Sequence, residues 1–111
     1  MKTLEQCRAE LDVIDAQLVS LFEKRMHVVR DVAQYKQAHG MNILDSSRES
    51  VVLESRAALL QEEALKMPLK DLFRELMRLS RQEQKRYLDA LSAAQPAAHD
   101  GAAGAYQADK E

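Results

Sequence analysis

A chain of 111 residues has room for one domain and little more. Its 16 Lys and Arg against 18 Asp and Glu give a formal net charge of −2, a balance that offers no global field to nucleic acid or an anionic membrane. A single cysteine, Cys7, excludes an intrachain disulfide, nothing near it has metal-ligand spacing, and no apolar run approaches the ~20 residues of a membrane span. The start, MKTLEQCRAELD, lacks the apolar centre of a signal peptide, so the expectation is a soluble cytoplasmic protein.

From Thr3 to about His39 there is neither Gly nor Pro. Leu4, Leu11, Leu18, Arg25 and Val32 recur every seventh residue, and Cys7, Ile14, Leu21, Val28 and Tyr35 recur beside them. This a/d pattern predicts one long helix, capped by Thr3 and ended by Gly40 in the left-handed region. At 1.5 Å per residue it is about 55 Å long, whereas a compact domain of ~100 residues has a radius of gyration of only ~13 Å. The helix therefore overhangs its own core, and the expectation is a homodimer in which a second chain covers it.

GMNILDSS reads as a short connection, and SSRESVVLESRAALLQEEA as a second helix with Val52, Leu59 and Leu60 on its apolar side. Ser46 with Glu49 three residues on has the form of a capping box, while Asp45 is either a loop residue or the N-cap. LKMP breaks the pattern, and Pro68 suits a first helical position. LKDLFRELMRLSRQEQKRYLDAL reads as a third helix, with Leu69, Leu72, Phe73, Leu76, Tyr87 and Leu91 on one side and Arg74, Arg78, Arg81 and Lys85 on a solvated face. Residues 1–91 form the helical domain. Ala-rich residues 92–111, holding Pro96, Gly101 and Gly104, have too little apolar bulk to offset ordering entropy and read as a disordered tail or linker stub.

Several polar residues stand where apolar ones belong. On a helical wheel Arg25 falls near the centre of the first helix's apolar stripe, Lys36 falls on the same stripe, Arg8 lies at its edge, and Arg30 and Lys24 point away. Burying an unpaired cation costs several kcal/mol, so Arg25 requires a carboxylate: a side chain in a buried, register-setting ion pair, or a bound anion. Taken singly, Arg8 and Lys36 fit surface cations with stems over the core edge, Glu49 fits its cap, and Ser80 fits a mid-helix serine bonded back to its own backbone. Periodicity leaves Gln84 undecided, since Glu83 lies nearer the stripe centre. There is no Gly-rich phosphate loop, His/Cys cluster or nucleophile–base pair.

Taken together, Arg8, Arg25, Lys36, Asp45, Arg48, Glu49, Ser80 and Gln84 decide more than any one of them. In RAELDVID, FEKR, YK, DSSRE and LSRQEQ the chain resembles the all-helical (type II) class of chorismate mutases, from residue 4 to about 88. The spacings Arg8-x6-Asp15, Asp45-x2-Arg48-Glu49 and Ser80-x3-Gln84 match that class. The resemblance implies an all-α fold, three helices per chain intertwined as a homodimer. It also implies rearrangement of chorismate to prephenate in Phe and Tyr biosynthesis, without metal or cofactor. Arg8, Arg25 and Arg48 would bind the substrate's two carboxylates with help from Ser80. Lys36 and Gln84 would donate to its ether oxygen, and Glu49 with the Asp45 region would take its ring hydroxyl.

Arg25 and Lys36 stand about 16 Å apart along the helix axis, close enough for long side chains to share a small dianion. Arg8 and Lys36 stand about 42 Å apart, so Arg8 must come from a second chain. Two antiparallel first helices about a dyad near residue 19 bring Arg8 of one opposite residue 30 of the other. Rival expectations are an isochorismate pyruvate lyase on the same scaffold and a non-catalytic helical dimerisation or regulatory module.

Overall fold

A computed structural model describes residues 1–94 of the chain, and the expected tail beyond Ala94 lies outside the described residues. They form three α-helices, α1 (Leu4–Ala38), α2 (Ser46–Ala57) and α3 (Lys66–Ala94), with a 3-10 turn at Glu63–Leu65 before α3 and no strand. The fold is all-α, as the heptad and 3.6-residue patterns predict.

Each boundary has a local cause. Thr3 caps α1 in a full capping box, its side chain accepting from the Gln6 backbone N–H while the Gln6 side chain accepts from the Thr3 N–H. At the other end Gly40 has φ 63°, and its N–H and that of Met41 bond to the carbonyls of Gln37 and Lys36, at 3.3 and 2.8 Å. This paired closure needs the left-handed conformation that glycine adopts without penalty.

The start of α2 departs from expectation: Asp45 is the N-cap and its carboxylate accepts from the Arg48 N–H at 3.0 Å, so Ser46 forms no capping box and Glu49 is released from that role. α2 also stops at Ala57 instead of running on to Ala64, and Leu59, expected on its apolar side, is 80% exposed. α3 begins at Lys66, so Pro68 occupies its third position, still within the first turn where a backbone N–H has no intrahelical partner. It continues through Ser92 to Ala94, three residues into the stretch read as tail.

α3 packs on both other helices. The buried apolar set is Val29 and Ala33 of α1, Ile43 of the connection, Val52 and Ala57 of α2, and Met77 and Leu88 of α3. Burial of a Val, Met or Leu side chain is worth about 1.5–3 kcal/mol, so these few contacts lock the second half of α1 to α2 and α3. The heptad seam of α1 is not the face it turns to its own chain. Leu4, Leu11, Ile14, Leu18, Leu21, Val28 and Tyr35 are all 49% exposed or more, and the radius of gyration is 18.1 Å. α1 thus has two apolar faces at an angle. The one at Val29 and Ala33 meets α3; the seam proper is bare.

Candidate active site

The angle between those faces sets the geometry. At about 100° per residue, Arg25 and Lys36 fall within ~20° of each other, on the border between the seam and the Val29–Ala33 face. Their side chains leave α1 beside α3 and α2, where a cavity of about 170 Å³ opens. Seven of the eight residues singled out in the sequence line it. Arg25 and Lys36 come from α1, Asp45, Arg48 and Glu49 from the N-terminus of α2, and Ser80 and Gln84 from α3. Its apolar wall comes from Val29, Val32, Ile43, Val52 and Met77. Arg8, the eighth, is exposed on the first turns of α1 and does not line the cavity.

α3 owes its place here to an unusual buried stripe. Met77, Ser80, Gln84 and Leu88 are its buried residues, so two polar side chains sit in mid-stripe where periodicity calls for apolar ones. Ser80 donates to the Leu76 carbonyl at 2.7 Å, the local bond expected of a mid-helix serine, and also accepts a hydrogen bond from Arg25 Nη1. Gln84 is only 5% exposed, and its Oε1 is buried with no hydrogen-bond partner among the described residues. A buried amide left short of a partner costs of order 1–3 kcal/mol, a cost accepted where a ligand completes the bonding.

The cations are held differently. Among the described residues Arg25 has no carboxylate at hydrogen-bond distance; burial, and then the neighbouring Arg56 cation, hold its guanidinium below its ordinary pKa. Lys36 Nζ donates to the Ile43 carbonyl at 2.6 Å, which ties the end of α1 to the connection. Arg48 engages Asp45 through its backbone, leaving its exposed side chain at the cavity rim.

Two cavity residues escaped the sequence reading. Arg81 is not on a solvated face: its Nη1 donates to both Glu49 oxygens, at 2.6 Å to Oε1, with the two side chains 15% and 25% exposed. The signal was present, since Met77, Arg81 and Gln84 follow i, i+4, i+7. Arg56 at the end of α2 also lines the cavity. A third difference lies behind the site: Arg30 does not point away but donates to Glu83 at 2.7 Å and stands 5.9 Å over the Tyr87 ring. α3 packs to one side of the apolar stripe, which turns Arg30 inward.

The arrangement suits a small, doubly charged organic anion: guanidinium and ammonium donors from three helices, a neutral amide, a carboxylate acceptor and an apolar wall. Among the described residues no cluster of three or more His, Cys, Asp or Glu is placed to hold a metal ion, and no helix is long and apolar enough to cross a membrane.

Residues 7–85 match the family model described as chorismate mutase type II. The chain is 33% identical over 81 residues to the T-protein of Haemophilus influenzae, covering 72% of this chain and 22% of that protein. It is 34% identical over 80 residues to the T-protein of Enterobacter agglomerans, covering 69% of this chain and 21% of that protein. The chain thus spans about a fifth of the length of these curated relatives. No solved structure matches it significantly.

Proposed function

The chain belongs to the chorismate mutase type II family, and from that premise we propose that it rearranges chorismate to prephenate, a step of aromatic amino-acid biosynthesis, in the cytoplasm. The observation that carries the proposal is the convergence on one cavity of Arg25, Lys36, Asp45, Arg48, Glu49, Ser80 and Gln84 from three helices. The reaction is a [3,3]-sigmatropic shift, in which a C–O bond breaks as a C–C bond forms. It asks the protein for no nucleophile and no proton transfer. It asks for a folded, chair-like substrate and for donors aimed at the ether oxygen, where negative charge grows.

In this reading Arg25, supported by Ser80, and Arg48 take the substrate's carboxylates, for which a guanidinium offers paired donors. Lys36 and Gln84 face the ether oxygen. Their interaction strengthens as the bond breaks, so they lower the barrier rather than only tightening binding. Glu49, beside Asp45, accepts from the ring hydroxyl.

The active unit is a homodimer. The bare seam of α1 supports it, and the reach of Arg8 requires it: within one chain Arg8 stands about 42 Å from Lys36 along α1. An antiparallel partner with its dyad near residue 19 sets Arg8 opposite residue 30, between Arg25 and Lys36, and gives two equivalent sites.

The direct test is to incubate the protein with chorismate and identify the product. Prephenate is expected, and Lys36→Ala or Arg25→Ala should cut kcat/KM roughly 10²–10³-fold with the fold intact. No turnover of chorismate, release of pyruvate from isochorismate instead, or near-full activity in either variant contradicts the assignment.

A further inference from the structure

Two openings in the surface share a wall. The candidate active site lies on one side. On the other, an opening of about 350 Å³ is lined by Ser46, Ser50, Leu53 and Arg74. Glu49, Met77 and Arg81 line both. The Glu49 carboxylate, on the first turn of α2, therefore has two places to go: inward to the site, or outward to the opening beside Arg74. Arg81, one turn before Gln84 on α3, donates to both of its oxygens through one nitrogen and fixes it on the partition. A carboxylate has about four acceptor positions, so this bond leaves others open to a ligand hydroxyl. Stability does not explain the pair's placement, because a largely buried ion pair gives little net stabilisation over an apolar pair.

We propose that Arg81 is a positioning residue for the rearrangement, holding the Glu49 carboxylate at the site so that it accepts from the ring hydroxyl of the substrate. The proposal rests on the reading of Glu49 given above. Arg81 does not touch the reacting atoms; it acts through Glu49.

The test is a double-mutant cycle with Arg81→Met, Glu49→Gln and both, measured as kcat and KM for chorismate and for an analogue lacking the ring hydroxyl. With chorismate each single variant should lose roughly 10–100-fold in kcat/KM, and the double variant should be no worse than about threefold below the poorer single one. With the analogue the Arg81→Met loss should shrink to within about threefold, and Arg81→Lys should restore part of the chorismate activity. A merely structural role would lower both substrates equally. Should Arg81→Met not fold, Arg81→Lys carries the comparison, with its loss again confined to the hydroxyl-bearing substrate. Arg81→Met near wild-type rate while Glu49→Gln is slow overturns the positioning role alone. Losses that multiply in the double variant overturn it too. Glu49→Gln at wild-type rate overturns both the positioning role and the reading of Glu49.

Discussion

At the scale of single residues, two side chains of the cavity, Gln84 and Arg25, stand out against the fully engaged Glu83 behind it. On the site side, Gln84 has a buried carbonyl oxygen without a hydrogen bond among the described residues, and Arg25 leans on a serine and faces another guanidinium. On the far side, Glu83 accepts from Arg86 within α3 and from Arg30 of α1, at 2.6 to 2.8 Å. Those bonds, that of Arg86 foremost, outweigh partial burial and hold the Glu83 carboxyl at about 2, below the ordinary carboxylate range. The folded state favours the ionised form, so the gain in stability is present above pH ~4.3 and is lost as pH falls from there to about 2. Thermal melts across that range should show Glu83→Gln clearly less stable than wild type at pH 7, with the gap closing as both approach pH 2. A constant gap would mean that the carboxylate's charge contributes nothing. The sequence exposed Arg25 and Lys36 because a cation on an apolar stripe is conspicuous. It hid Arg30, since α3 packs off the stripe's centre and a wheel drawn on α1 alone cannot show that, whereas the spacing of Arg81 with Met77 and Gln84 on α3 was there to be read.

At the scale of elements, helix termini position the site more than helix middles do. Asp45 caps α2 and thereby presents Arg48 and Glu49 to the cavity from the helix's first turn. The closure at Gly40, four residues past Lys36, ends α1 and turns the chain so that the Ile43 carbonyl receives the lysine's ammonium. A Cβ at Gly40 would meet nothing within 4 Å, so Gly40→Ala is opposed by backbone conformation alone. It should destabilise the fold by about 1 kcal/mol, measured by urea unfolding. An unchanged midpoint would show that the turn does not depend on a left-handed residue. α1 and its ends were legible because an unbroken heptad run bounded by Thr and Gly is a strong signal. The end of α2 was not: RAALLQEEA is good helix-forming sequence, yet Ala57 is the last buried residue of the helix and Leu59 beyond it is left exposed.

At the scale of the whole molecule, two features of the single chain point to a second copy. Its longest helix carries an apolar seam that nothing among the described residues covers, and its cavity holds seven residues of an eight-residue set whose last member lies at the far end of that helix. The proposed antiparallel second copy would close both gaps. In the sequence, the a/d pattern is what raises the expectation of a partner. The cavity was legible only through the combined set, because three helices contribute to it and no local run of residues contains it. The decisive measurement is subunit exchange between Arg8→Ala and Lys36→Ala chains, each nearly inactive alone. Equal mixing should restore about a quarter of wild-type turnover per chain, because half the dimers are mixed and each has one intact site. A mixture no more active than its parents, with exchange of subunits verified, would contradict a site shared between two chains.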